Sequence, residues 1–278
     1  MTGGGVTRIL IVTSVIDKAS MNILEHLLKI GRWRRFGDFD GNPAKEYGNR
    51  RLVTIQDEFL FRNDIDSEIK ESLGIDFDVI VFASRHRSES GLRSLTVHPL
   101  GNYDKADFGG HPRTLVPTSP DLMTLALRLL RNRSAGLDFS VSFEVTHHGP
   151  YVSTPAFNIE IGSDEIAWEE KAPAEAIAAV VMSVEERKLP VAIGVGGGHY
   201  APRITDVAIE RNVSFGHMIP TYALDHLDLD MLEQVIDLTP KARYAYLHRK
   251  AMSKPKVREL TQLCEQCGLR VVRTRDLK

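Results

Sequence analysis

Short runs of β-branched and other apolar residues alternate along the chain with stretches whose apolar positions recur every three or four residues. That alternation predicts α/β architecture. Strands are expected at Arg8–Thr13, Leu52–Ile55, Asp78–Ala83, Phe139–Val145, Ala156–Ile161, Val191–Val195, Val213–Ile219, Arg243–Leu247 and Leu269–Val272. Near-continuous apolar runs such as Val79-Ile-Val-Phe-Ala83 predict strands covered on both faces, as in a mostly parallel sheet.

Helices are expected between the strands. Ile23, Leu24, Leu27 and Leu28 make one apolar face after the first strand. Ser119-Pro120-Asp121 reads as a cap, a first-turn proline and a first-turn acid ahead of Leu122, Leu125, Ala126, Leu129 and Leu130. A stripe at Ile177, Val180, Val181 and Val184 follows Pro173, which should start or kink its helix, and Gly268 should stop the helix that carries Val257, Leu260 and Leu263. Ser84–Thr118 reads as the longest irregular stretch, and long loops inside a compact domain tend to carry function. The whole is expected to be one α/β domain over 1–278, with a mixed, mostly parallel sheet covered by helices on both faces and a basic C-terminal α/β portion at about 239–278.

Composition narrows the class. The 278 residues are 42% hydrophobic and 26% charged, the mix of an ordinary globular protein. No run approaches the roughly 20 apolar residues of a membrane span. Two cysteines are too few for a secreted disulfide scaffold, and Cys264-x-x-Cys267 without a second pair reads as two ordinary helix residues. The start, Met1–Thr7, carries three glycines and leads into a strand, unlike a signal peptide. A cytoplasmic monomer with no membrane contact is the expectation. Basic and acidic residues nearly balance, 35 against 37. Their distribution does not: 239–278 holds 11 Lys/Arg and 3 Asp/Glu, whereas 1–238 holds 24 and 34, and Arg32-Trp-Arg-Arg35 is a second basic knot. A segregated positive tail suits a polyanionic partner.

Histidines cluster at predicted strand ends: His86, His147-His148, His199 and His217. In open α/β sheets ligands bind beyond the carboxyl ends of strands, and imidazole moves protons near neutral pH or ligates zinc. Gly194-Val-Gly-Gly-Gly-His-Tyr200 lacks the pattern of a P-loop or a dinucleotide fold; it reads either as a tight turn or as a loop whose N–H groups meet a phosphate or an oxyanion. Within Glu144-Val-Thr-His-His-Gly-Pro150, neighbouring histidines can share one metal only if the strand has ended, as Gly149-Pro150 suggests. Glu160 places a carboxylate inside an apolar strand, either paired in the core or facing a polar site. Asp17-Lys18 offers a charge pair at a helix start, or an Asp cap beside a solvated lysine. No serine-hydrolase elbow and no H-E-x-x-H is present.

Taken together, Ile16-Asp-Lys-Ala-Ser20, Phe39-Asp-Gly-Asn-Pro43, Ala83-Ser-Arg-His86, Leu95-Thr-Val-His98 with Gly101-Asn102, Glu144–Pro150, Ile159-Glu-Ile-Gly162, Gly194–Pro202 and Phe215-Gly-His217 resemble the archaeal and plant type of D-aminoacyl-tRNA deacylase. The resemblance runs from about Arg8 to the C-terminus and departs at Leu247-His-Arg-Lys-Ala251, where the family has Asp-x-Lys-Gly. It implies hydrolysis of the ester joining a D-amino acid to tRNA, a fold similar to phosphorylases and peptidyl-tRNA hydrolase, and association with zinc. Lys18, His86, Glu144, His147, His148 and His199 are then the candidate catalytic residues, and His98, His147, His148 and His199 the candidate zinc ligands. Asp17, Arg85, Asn102, Gly196, Gly197, Gly198, Arg249, Lys250 and Lys254 are the candidate contacts to the substrate. A nucleoside phosphorylase-like enzyme and a non-catalytic RNA-binding protein are the competing readings.

Overall fold

The computed structural model describes residues 6–278, so the start at 1–5 lies outside the described residues. In chain order the elements are β1 (Ile9–Ser14), α1 (Lys18–Lys29), β2 (Arg34–Phe39), β3 (Asn42–Tyr47), β4 (Arg50–Ile55), α2 (Ile65–Leu73), β5 (Val79–Arg87), β6 (Ser94–Pro99), β7 (Gly101–Asn102), β8 (Thr114–Leu115) and α3 (Pro120–Arg133). There follow β9 (Ser140–Phe143), β10 (Ala156–Ser163), α4 (Glu165–Glu169), α5 (Lys171–Ser183), β11 (Val191–Val195), α6 (Pro202–Glu210), β12 (Ser214–Ile219), α7 (Leu229–Asp237), β13 (Ala242–Leu247), α8 (Lys254–Gln266) and β14 (Arg270–Val272).

An eight-stranded mixed sheet runs β2-β3-β4-β1-β5-β10-β6-β9, and a four-stranded parallel sheet runs β12-β11-β13-β14. The central strands of the large sheet, β4, β1, β5 and β10, are mutually parallel. Both faces are covered, and strand alternation shows how. Ile9, Ile11, Val79 and Val81 pack with α1, α3 and α5, whereas Leu10, Val12, Ile80 and Phe82 pack with Ile65 and Ile69 of α2. The small sheet shares the first of these cores through Ala192, Phe215 and α6 and buries Ile193, Val195 and Ala245 under α7 and α8. It begins at Val191, so the basic tail supplies only its last two strands and α8.

Several expectations change. Ser84–Thr118 is irregular only in part: β5 continues to Arg87, and β6 lies antiparallel to β10 in a fully buried position, whereas 103–113 is loop. His86 therefore sits inside β5 and does not follow it. The hairpin β2–β3 escapes the apolar pattern because it is a charged, only partly buried edge, where a strand needs no hydrophobic stripe. There Arg34 pairs with Glu46 and Arg35 with Asp38, so two arginines of the basic knot are neutralised. Ser119 occupies the cap position of α3 without its side chain capping, whereas Asp121 accepts from Ser214 Oγ at 2.5 Å, tying α3 to β12. Pro173 lies in the first turn of α5, where a missing N–H costs nothing. Cys264 is buried in α8 and Cys267 ends it; both are free thiols.

Candidate active site

Beyond Phe143 the chain leaves the large sheet and stitches it to the small one: Val145 N–H donates to His199 O and Thr146 N–H to Met218 O, both at 2.9 Å. Glu144, His147 and His148 ride on this crossing. β5 and β10 bring His86 and Glu160 from the other side, β6 brings His98, and the loop after β11 brings His199 and Tyr200. The sheet register allows it: Glu160 stands between Ser84 and Thr96, and Gly162 stands opposite His86. A Cβ on Gly162 would lie 2.8 Å from the His86 ring, so the glycine of Ile159-Glu-Ile-Gly162 makes the space this imidazole fills.

The centre is Glu144, fully buried and faced by three imidazoles. His86 Nδ1 is 3.2 Å from its Oε1; His199 Nε2 and His147 Nε2 are 3.3 and 3.5 Å from its Oε2. Glu160 accepts from Ser84 Oγ at 2.9 Å and lies 3.6 Å from both His86 Nδ1 and His98 Nε2. Burial opposes charge on His86, but Glu160 and Glu144 outweigh it and raise its pKa to about 10. His86 is thus an imidazolium at neutral pH, and its Nε2–H points to Tyr200 Oη at 3.0 Å. For Glu160, too, burial opposes ionisation and loses to its partners: His98 and His86 hold the carboxyl well below its usual range. In contrast, burial and the neighbouring imidazoles keep His147 neutral and push His148 down to about 3.

His98, His147 and His148 can hold a metal. Their ring centroids are 4.1 to 4.9 Å apart, and their facing nitrogens form one compact group. The Nδ1 atoms lie 3.1, 2.7 and 3.4 Å from the carbonyls of Pro99, Val145 and Gly149, so Nε2 is the atom each ring would give a metal, His98 after losing the proton that it shares with Glu160. His98 Nε2, both oxygens of Glu144 and Glu160 Oε2 are buried without a hydrogen-bond partner, as donors awaiting a cation or water would be. The fourth candidate ligand, His199, falls in a different group, with His86 and Glu144.

The cluster opens into a cleft of about 310 Å³ lined by Asn102, Asp104, Phe108, His147, His148 and Tyr222 among others. Asn102 Nδ2 donates to the carbonyls of Gly109 and His111, so it shapes the cleft's loop. That loop lies against the histidine segment because neither glycine has a side chain: a Cβ on Gly149 would fall 2.2 Å from Gly110 N. Asp17 and Arg85 line a smaller cavity of about 50 Å³ that also touches His148 and Glu160. Asp17 is the α1 cap, accepting from Ser20 N–H and Arg85 N–H at 2.9 Å, and Arg85 lies over Trp168 and pairs with Glu58.

The remaining candidates lie elsewhere. Lys18 Nζ is 2.9 Å from Glu165 and from Glu169 on α4, a half-exposed ion-paired lysine beside the capped helix start. Gly196 N–H donates to Ile219 O and Gly197 N–H to Thr221 Oγ1, both at 2.8 Å, so these amides are spent; Gly198 is exposed. Arg249 and Lys250 are exposed beyond β13, and Lys254 is the first residue of α8. His217 is fully buried, its Nδ1 3.1 Å from Thr146 Oγ1, behind the cluster. Tyr200, Phe108 and Tyr222 are the residues sequence reasoning missed. Tyr200 had a signal in its neighbour His199; the other two had none, being single aromatics in loops.

A buried carboxylate among imidazoles of opposite protonation, behind the two histidines that line a cleft, is a set of groups suited to a hydrolase that activates water. The comparisons make this particular. The sequence profile of D-aminoacyl-tRNA deacylase matches residues 73–272. D-aminoacyl-tRNA deacylases of Methanosarcina acetivorans and Thermococcus onnurineus are 37% and 38% identical, covering 98% and 95% of this chain and 94% and 98% of their own. The relative from Methanococcoides burtonii is 38% identical over 97% of the chain, which spans 57% of that relative's length. A crystal structure described as a conserved protein of unknown function superposes over 98% of the chain with a TM-score of 0.90 at 31% identity. The chain belongs to the D-aminoacyl-tRNA deacylase family. Neither a phosphorylase nor a non-catalytic RNA-binding protein is favoured.

Proposed function

We propose that the cleft beside Glu144 is where this chain carries out the reaction of its family, hydrolysis of the ester in D-aminoacyl-tRNA to free D-amino acid and tRNA. The observation that carries the reading is the pairing of Glu144 with one imidazolium, His86, and one accessible imidazole, His199. Ester hydrolysis needs a base for water and a donor for the oxyanion. His199, about a third exposed, points Nε2–H at Glu144 and offers Nδ1 to a water as general base. On the other side His86 lies with Nδ1 3.2 Å from Glu144 Oε1, and its Nε2–H donates to Tyr200 Oη, which frees the phenol proton to meet the oxyanion. Glu160, 3.6 Å from His86 Nδ1, and Glu144 hold His86 charged.

Zinc, when bound by His98, His147 and His148, would supply Lewis acidity and lower the pKa of a water at neutral pH. Those three imidazoles are kept from turning by their Nδ1 contacts, and His147 is kept neutral by burial. Asp104 and Asp107 at the cleft mouth suit the α-ammonium of an aminoacyl group, and Phe108 and Tyr222, both exposed, suit an apolar side chain. Among the described residues no helix is long and apolar enough to cross a membrane. We place the protein in the cytoplasm as a monomer, in translation quality control.

The test is release of amino acid from D- and L-tyrosyl-tRNA. Faster release of the D form is expected, because a pocket with fixed ammonium and side-chain positions leaves only one Cα substituent facing the base. Equal release from both would overturn the chiral reading, and none from either would overturn the enzyme.

A further inference from the structure

We propose that a second cavity, on the far side of the glycine loop from the catalytic cleft, is a phosphodiester site that holds the acceptor end of the RNA. The proposal rests on the deacylase reading and adds to it the residues that grip the polyanion. The cavity, about 390 Å³, lies at the carboxyl end of β13 and is lined by Arg203, His248, Arg249, Lys250, Arg273 and Tyr246 among others. No carboxylate lines it. The catalytic cleft, by contrast, carries Asp104 and Asp107, and a cavity of about 560 Å³ at the opposite strand ends carries Asp78, Asp121 and Glu186.

The charges here are also uncompensated. Arginines across the large sheet are matched with acids: Arg8 with Asp78, Arg62 with Asp40 and Glu68, Arg93 with Glu170. Among the side chains that line this cavity only Arg203 has an acid within ion-pair distance, the exposed Asp206 at 4.0 Å; Asp276 accepts from the Arg273 backbone N–H and leaves its guanidinium unpaired. Its guanidinium is instead fixed by neutral partners, Nε to Tyr246 Oη at 3.0 Å and Nη2 to Thr274 Oγ1 at 2.8 Å. A guanidinium oriented by hydroxyls keeps its full charge for a ligand, and its planar fork suits a phosphate.

The glycine loop joins the two cavities. Gly197 bonds Thr221, next to Tyr222 of the catalytic cleft, and on its other flank a Cβ would lie 3.2 Å from His248 Nδ1. Gly198 has open space where a side chain would stand. A strand can thus cross the loop with its aminoacyl end at the acidic, aromatic cleft and its phosphates among the cations. Since the amides of Gly196 and Gly197 are spent, the phosphates are met by side chains. Contacts to phosphate alone fix position without reading bases.

The experiment compares two substrates, full-length D-tyrosyl-tRNA and 3′-O-D-tyrosyl-adenosine, which lacks the acceptor phosphates. Arg203→Gln with Arg273→Gln should raise KM for the tRNA about tenfold with kcat little changed, and lower its preference over the adenosine ester by a similar factor. The salt slope of KM should shrink by roughly 0.7–0.9 for each phosphate that is no longer neutralised. Arg131→Gln with Arg133→Gln, on α3, should change neither substrate. Because Arg203 also braces Tyr246 and Thr274, Arg249→Gln with Lys250→Gln, both exposed, serves as the second variant. KM and salt slope unchanged in both cavity variants would overturn the proposal. If the wild type hydrolyses neither substrate, the deacylase reading fails by itself. Anisotropy binding of uncharged tRNA then decides the phosphate site, weaker in the variants if it is right and equal if it is wrong.

Discussion

At the scale of residues, the proposed reaction rests on three side chains. Glu144 orders His86 and His199 at once, so Glu144→Gln, which keeps the shape and loses the charge, should lower kcat by about 10²–10⁴, and His199→Ala by a similar amount. Single-turnover release of D-tyrosine checks both; turnover within a few-fold of wild type would remove His199 as the base. Asp17 gives a pH signature of a different kind. Burial raises its pKa to about 6, against the bonds from Ser20 and Arg85, so the folded state holds the proton more tightly than the unfolded chain. Its contribution to stability is therefore greatest below the ordinary carboxylate range and is lost as pH rises through about 6. Asp17→Asn, which can still cap α1, should gain on the wild type across that window by on the order of 2–3 kcal/mol, read from urea unfolding at a series of pH values. Asp17 was legible as a cap from its place before a helix. Its second role, taking the Arg85 amide, was not, because that hydrogen bond spans 68 residues.

At the scale of elements, the site depends on where two glycines let segments meet. Gly162→Ala would drive a Cβ into Ser94 Oγ at 2.4 Å and the His86 ring at 2.8 Å. The expected outcome is a loss of about 1–3 kcal/mol in unfolding free energy, as for other overpacked sites, together with a fall in kcat as His86 is displaced. Buried strands and the longer helices were readable, since an apolar run or a 3.6-residue stripe is a local property of the chain. β6 was not, because its Leu95, Val97 and His98 owe their burial to pairing with β10, and polar Ser94 and Thr96 interrupt the run. The short α2, α6 and α7, nine residues each, present only three or four buried positions apiece, too few for a stripe to stand out.

At the scale of the molecule, zinc and the joining of the two sheets are one question. His98 comes from the large sheet and His147 and His148 from the crossing toward the small one, so a bound zinc should brace the junction. Chelation is expected to lower Tm, added zinc to restore it, and His98→Ala to abolish the response, checked by thermal unfolding with metal content measured alongside; the same Tm with and without chelator would make the metal incidental. The sequence by itself determined the α/β class, most of the strands, the basic tail and the set of histidines, since each is written in residue type and short-range spacing. Only the tertiary structure decided which histidines share a carboxylate. That choice depends on strand order, on a crossing between sheets and on glycine contacts between segments far apart in the chain. It also drew Lys18 to α4 and left Arg203 facing a cavity without acids, because where a long side chain points is set by the nearest opposite charge or hydroxyl in space, wherever that lies in sequence.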